Sequence, residues 1–233
     1  VIKAPGPDQQ EGGHTLMTKK NNRVVIYGAG GHGKVIADIV EKSGKTVMAF
    51  VDDAETLWDK SIWGRPVWRG TSHLLEYAKK ETFSVIIGIG DNHCRREIKK
   101  TLESAGICFA AAIHPSAQLA NDVNIGEGTV IMANSVINPG ARVGGHCIVN
   151  TAVVIGHDCI IDDFVHISSG SLLGGSVQVG HSSWIGLGAT VINNIYIAEH
   201  AIIGAGSVVI RNVHANTVVV GNPAAFLRKN EKK

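Results

Sequence analysis

From Leu119 to His214 the chain reads LANDVN IGEGTV IMANSV INPGAR VGGHCI VNTAVV IGHDCI IDDFVH ISSGSL LGGSVQ VGHSSW IGLGAT VINNIY IAEHAI IGAGSV VIRNVH, a six-residue period with no insertion. The first slot is aliphatic in all sixteen units, from Leu119, Ile125 and Ile131 to Val209, and the fifth is mostly small, as at Ala141, Cys147, Ser171 and Ala189. Gly recurs in the second slot. An amphipathic helix needs apolar residues near every 3.6, and a hairpin strand alternates by two over a short run; neither fits. A hexad repeat sustained this long points to a parallel β-helix, in which each short flat side supplies one large and one small inward residue and each corner needs Gly or Asn. One coil cannot bury its own face, so coils stack.

The pattern resembles the left-handed β-helix of hexapeptide-repeat acyltransferases, in which three hexads close a triangular coil. Ile113-His114-Pro115-Ser116-Ala117 is similar to the usual lead-in to it. A solenoid that serves only as a scaffold is the alternative at this point.

With 44% hydrophobic but only 5% aromatic residues among 233, the core must be aliphatic, which suits a solenoid. The net charge of +2 recommends neither nucleic acid nor an anionic membrane as main partner. No apolar run approaches the roughly 20 residues that cross a bilayer. Cys94, Cys108, Cys147 and Cys159 show no metal-site spacing, and two of them fall in inward slots, where free Cys acts as a small hydrophobe. The expectation is a reduced, cytoplasmic setting.

Residues 1–22, with Pro5-Gly6-Pro7 and Lys19-Lys20-Asn21-Asn22, read as linker or appended vector-derived residues. A start at Val1 further suggests a chain cut from something longer, with another domain preceding it. Arg23 to Tyr27 reads as a buried strand, followed by Gly28-Ala29-Gly30-Gly31-His32-Gly33, a helix through Ser43, and a strand from Thr46 ending in Asp52-Asp53. This is the strand, glycine turn, helix, strand and acid order of a nucleotide-binding fingerprint. Trp58 to Gly70 reads as irregular, Ser72 to Glu81 as helix, Phe83 to Ile89 as strand, Asn92 to Ala105 as helix and Ile107 to Ile113 as a last strand, four strands at most. The expected domains are a Rossmann-like α/β domain over 23–112 and a β-helix over 113–233. A tail with Gly221-Asn222-Pro223-Ala224 and basic Arg228, Lys229, Lys232 and Lys233 closes the chain.

In an 18-residue coil, residues i and i+18 stack about 4.8 Å apart. His157 then has Pro139 beneath it and Gly175 and Asn193 above it, and His166 shares a column with Trp184. Both histidines fall outside the inward slots, so both should be reachable by solvent or a neighbouring subunit. His146, His181 and His200 have no acid in phase and read as surface residues.

Asn150-Thr151-Ala152-Val153-Val154-Ile155-Gly156-His157-Asp158-Cys159, extended by Phe164-Val165-His166-Ile167-Ser168 and Gly174-Gly175, resembles the catalytic segment of the nucleotide-amino-sugar and sialic-acid acetyltransferases. That branch also carries a small N-terminal domain with the Tyr27 to Gly33 pattern, so the likeness covers residues 23 to 227. It implies acetyl-CoA-dependent acetylation of the 4-amino group of a UDP-linked dideoxy sugar, as in the bacillosamine route to protein glycans, by a homotrimer. It implies catalytic roles for His157, Asp158 and Asn150. Contacts to the coenzyme would come from His166, Gly174, Gly175 and Gly188. Contacts to the nucleotide sugar would come from Gly28, Gly30, Gly31, His32, Asp52, Asp53, Gly90 and Asn92. No metal is expected.

The chemistry agrees with that assignment. An amine attacks a thioester only when neutral, so a base such as His must take its proton. Asp158 would hold the imidazole in one tautomer, and an N–H at Gly174 or Gly175 would meet the tetrahedral intermediate. The rivals are a zinc lyase of the carbonic-anhydrase type, which needs three converging imidazoles, and a nicotinamide dehydrogenase, for which the α/β domain is short. A sialic-acid O-acetyltransferase and a non-catalytic UDP-sugar-binding scaffold also remain.

Overall fold

The computed structural model describes residues 22–231, so the expected linker lies outside the described residues except for Asn22. Arg23–Tyr27 (β1) leads into Gly31–Lys42 (α1) and Thr46–Asp52 (β2). Ser61–Ile62 (β3), Arg65–Arg69 (β4), Gly70–Ala78 (α2), Ser84–Ile87 (β5) and Asn92–Ser104 (α3) follow. The sheet runs β3-β4-β2-β1-β5, parallel except for the β3–β4 hairpin. Val24, Val25 and Ile26 are fully buried in succession because helices cover both faces of a parallel sheet.

Two sequence expectations change here. The segment Trp58 to Gly70 is not irregular: it holds β3 and β4 and raises the sheet to five strands. Trp68 drives this, because it packs beside Tyr77 and Phe83 with ring centroids 4.4 and 6.0 Å away. Conversely, Ile107 to Ile113 is no fourth full strand. It makes a single bridge from Phe109 to Val85, and at Ala112–Ile113 the chain already pairs with Val130–Ile131 of the solenoid. The small residues Ala110, Ala111 and Ala112 offer too little side chain to carry the sheet on beyond its β5 edge.

From Ala112 to Val209 the chain forms seventeen two-residue strands in three parallel sheets, the left-handed β-helix of the hexad pattern. Partners lie one coil apart, as Ile137 with Ile155 and Leu173 with Val191. The first sheet is the face that begins at Ala112, the second begins at Gln118 and the third at Asn124. The periodic aliphatics Ile131, Ile155, Ile167, Ile185 and Ile203 are buried to 0% exposure. The small slot has its own logic. Thr129, Ser135, Ser171 and Ser183 donate to the carbonyls of Gly144, Asn150, Gly186 and Ala198, and the Cys147 and Cys159 thiols point at those of Asp162 and Gly174. A short hydroxyl or thiol thus satisfies a corner carbonyl that the ladder leaves over.

The N-terminal domain lies on the first face. Val130, Met132 and Ile148 project outward yet are buried, in one cluster with Ile36, Ile39 and Val40 of α1. Thr217–Val220 extends this sheet in parallel, and Ala225–Lys229 folds back antiparallel on it. Among the described residues no helix is long and apolar enough to cross a membrane.

Candidate active site

His157 and Asp158 occupy the corner between the second and third faces. Asp158 has φ 58°, the left-handed conformation that short polar residues tolerate, and its Oδ2 lies 2.8 Å from His157 Nδ1. Both side chains are open, at 63% and 66% exposure, so a substrate can reach them. Glycines make the room. A Cβ on Gly140, one coil below, would strike the Asp158 carboxylate, and one on Gly175, one coil above, would overlap the His157 ring at Nε2. With Nδ1 on the carboxylate, Nε2 is the end left to take a proton.

The glycine N–H groups expected to meet an oxyanion are occupied. Gly174 donates to Val191 O at 2.9 Å as part of the ladder, and Gly175 to Asn193 Oδ1 at 3.2 Å. These two glycines serve by absence of bulk. Asn150 sits at the corner between the first and second faces. Its Oδ1 accepts from Thr151 N at 2.8 Å, which leaves the amide NH2 as a donor. Above it on the same corner Gly170, Gly188 and Gly206 stand in one column with φ near 70°, 62° and 65°, each with open space where a Cβ would be. This is a smooth groove along the coil axis.

His166 starts a strand of the first face and stacks on Trp184, centroids 5.6 Å apart and planes at 12°. Expected to be reachable by solvent, it is instead largely covered by the N-terminal domain. Burial, then Arg95 and His32, push its pKa down to about 4, while contact with the Gly90 carbonyl opposes this. His32, the second residue of α1, is likewise held near 4 by burial and by Arg95. The Nε2 atoms of both are buried without a hydrogen-bond partner. Two neutral imidazoles with unmet nitrogens therefore line the seam between the domains.

The glycine turn fits the fingerprint. At φ 114°, Gly28 backs onto the Gly88 carbonyl; Gly33 lets α1 close on β1; Gly30 and Gly31 face open space, and α1 has no side-chain cap. Its first N–H groups lack intrahelical partners and suit an anion. Asp52 and Asp53, expected at the nucleotide, also brace the loop. Asp52 accepts from Ala29 N and Ala54 N, and Asp53 from the Tyr27 hydroxyl at 2.6 Å. Asn92 is spent differently from expectation: Nδ2 donates to the Ser182 and Ser183 carbonyls and Oδ1 accepts from Arg95, so it pins the domains together. Gly90 borders the seam and also accepts from Arg95.

Two residues were misread or missed in the sequence. His146, expected at the surface, is 2% exposed, lies between Phe109 and Phe164, and is driven to a pKa of about 4 chiefly by burial. Arg95, 1% exposed, was missed. The signal was its place on the apolar stripe of α3 with Ile98 and Leu102, a position where a charge needs a reason.

Comparison with known proteins bears on these sites. Residues 23–102 match the model of the PglD N-terminal domain, and residues 101–187 that of the GMPPB C-terminal domain. UDP-N-acetylbacillosamine N-acetyltransferase of Bacillus subtilis (strain 168) is 37% identical over 112 residues; the match spans 47% of this chain and only about half, 51%, of the relative. A variant of perosamine N-acetyltransferase from Caulobacter crescentus, solved with CoA and GDP-perosamine, superposes with a TM-score of 0.83 at 35% identity, over 88% of this chain and 96% of that one. The acetyltransferase domain of PglB from Neisseria gonorrhoeae FA1090, solved with acetyl coenzyme A, gives 0.83 at 36% identity, over 89% and 100%. A match over 96% and 100% of these two chains at 35% and 36% identity, together with the unbroken hexads, places the chain in the family of hexapeptide-repeat sugar N-acetyltransferases.

Proposed function

We propose that the protein transfers acetyl from acetyl-CoA to the 4-amino group of a UDP-linked amino-dideoxy sugar, with His157 as general base. The observation that carries this reading is the exposed His157–Asp158 pair, joined at 2.8 Å and set between glycines that clear space for it. Asp158 accepts the Nδ1 hydrogen and so leaves the Nε2 lone pair for the substrate. The sugar ammonium first sheds one proton to solvent. The neutral amine then attacks the thioester carbonyl carbon, forming the C–N bond while an electron pair moves to oxygen, and Nε2 takes the second proton that this nitrogen must lose. Collapse breaks the C–S bond, and the departing thiolate takes the proton back from the imidazolium. The Asn150 amide is the donor with which this chain would meet the oxyanion, in place of the occupied glycine N–H groups.

The placement of the parts favours a site between subunits of a homotrimer. His157 and His166 are nine residues apart, half of an eighteen-residue coil, so within one protomer they face opposite ways. The Asn150 corner and its glycine column lie one face away from His157. A neighbour turned head to tail brings one protomer's His157 corner to the next one's groove, and three such contacts close a ring. The second face offers apolar surface for this, with Leu172 at 46% and Ile192 at 44% exposure beside Leu187 at 59%. The groove then takes the pantetheine arm, and the seam with its helix N-terminus takes the nucleotide diphosphate. The free cysteines suit a cytoplasmic setting, where both co-substrates occur.

The test is a panel of UDP- and GDP-linked 4-amino sugars, CMP-sialic acid and free sialic acid with acetyl-CoA, scored by thiol release and by sedimentation of the enzyme. Release with a UDP-4-amino sugar by a trimer is the expected result. Release confined to sialic acid, or from none of the panel, would overturn the assignment, and an active monomer would overturn the intersubunit site.

A further inference from the structure

A guanidinium has five N–H donors, and in Arg95 all are used. Nε donates to His146 O at 2.8 Å, Nη1 to Ile89 O at 2.9 Å and Gly90 O at 3.1 Å, and Nη2 to Asn92 Oδ1 at 2.7 Å and Phe164 O at 3.0 Å. Two acceptors belong to the loop after β5, one to the first residue of α3 and two to solenoid corners in successive coils. Every one is a neutral oxygen. The nearby acid, Asp91, caps α3 by accepting from Cys94 N and favours the charged guanidinium through space, without being one of the five acceptors. A buried arginine normally meets a carboxylate, because burial of a charge without an opposite one is costly. Here burial lowers the guanidinium pKa only to about 10, so the charge persists at neutral pH.

This charge stands under the seam. It depresses the pKa of both His32 and His166, and the Gly90 carbonyl that it holds also touches the His166 imidazole. A simple interdomain rivet would not need a charge; Asn92 already binds the Ser182 and Ser183 carbonyls without one. We propose that Arg95 is a positioning residue for the nucleotide sugar: its five-point grip sets the Gly90 loop at a defined height on the solenoid and puts a positive charge beneath the place where the N-terminus of α1 meets the diphosphate. The inference rests on the reading that the seam binds the nucleotide sugar. It adds that affinity for the diphosphate is set from below, by a residue that does not touch it.

Arg95→Lys keeps the charge but has three donors, and Arg95→Gln removes the charge. Both are compared with the unsubstituted trimer for UDP and uridine affinity by calorimetry, and for the KM of sugar nucleotide and of acetyl-CoA. With two of five acceptors lost, Arg95→Lys should weaken UDP binding and raise the sugar-nucleotide KM about tenfold. Arg95→Gln should do more, uridine should be affected less than UDP, and the acetyl-CoA KM should stay within about twofold. Should neither variant fold, Asn92→Ala, which removes the bonds to the Ser182 and Ser183 carbonyls and one of the five Arg95 acceptors, should shift UDP affinity in the same direction by about threefold, the scale of the one acceptor that Arg95 loses. Unchanged UDP affinity in a folded variant, or equal changes for both co-substrates, overturns the proposal. Since UDP binding is measured without turnover, an enzyme that acetylates none of the panel sinks the proposed reaction while leaving this test readable.

Discussion

Replacing Gly175 by Ala asks whether the room above His157 matters to the chemistry. The backbone of Gly175 is not in the left-handed region, so alanine is tolerated there without backbone strain. The obstacle is the His157 ring, whose Nε2, Cε1 and Cδ2 are the atoms nearest to the added methyl. Because His157 is 63% exposed, it can swing away. The swing breaks its bond to Asp158, an exposed pair worth about 0–1 kcal/mol. Against this stands about 0.4–1 kcal/mol gained because alanine narrows the unfolded ensemble. Stability should therefore stay within about 1 kcal/mol of the parent. The proposed base, however, leaves its place. A displaced general base forfeits a factor of up to about 10²–10⁴, and partial return of the ring puts the expected fall in kcat near 10²-fold. The assay is steady-state thiol release alongside a urea unfolding curve. A variant with parental kcat would refute the idea that the column above His157 holds the base; a variant that unfolds readily would show that the glycine serves the coil instead.

His157→Ala should lower kcat by about 10²–10⁴-fold, some 3–5 kcal/mol of barrier, with little change in melting temperature; Asp158→Asn should cost less, and the reverse order would reassign the base. His146→Phe removes two buried ring nitrogens that have no partner in an aromatic stack. It should raise unfolding free energy by about 1–2 kcal/mol, read as a higher urea midpoint, and a lower one would reveal a missed role for the imidazole. Acid should destabilise the fold through His32, His146 and His166, whose folded pKa values near 4 lie below the ordinary 6.5. Stability should be level above about pH 6.5 and fall toward pH 4 as the unfolded chain takes up protons that the native one refuses, by up to about 3 kcal/mol per ring. Urea midpoints across that range test it: His146→Phe should show a shallower slope, and identical slopes would remove His146 from the account.

The solenoid was legible because its rule is local and repeated: every sixth residue reports the same inward slot. The His157–Asp158 pair was legible for the same reason, since counting by eighteen places Gly175 over the imidazole. What was not legible lies where the N-terminal domain meets the first face. No period within the hexads says which of three faces is covered, so His166 and His146 were read as open although both lie under another domain. A trace of it was present, because Val130 and Ile148 are apolar in outward slots where Arg142 and Gln178 are not. Strand β4 was hidden by its Trp and Pro residues, which resemble a loop until Trp68 is seen beneath α2.

Because the coils register by count, the solenoid treats length changes unequally. Six residues added after Asp158 would carry every later position one face round, so that His166 would leave the seam and the Ser182 carbonyl would leave Asn92. Eighteen added at the same place would keep each residue on its face. They would still lift the corner of Phe164 by one coil, about 4.8 Å, out of reach of a guanidinium that also holds the corner of His146. Beyond Ser183 the same eighteen residues would disturb neither the dyad nor Arg95 and would lengthen the glycine groove by one storey. Chains of this architecture can therefore grow toward their far end in whole coils, altering the length of the glycine column while the His157–Asp158 corner and the N-terminal domain keep their mutual setting.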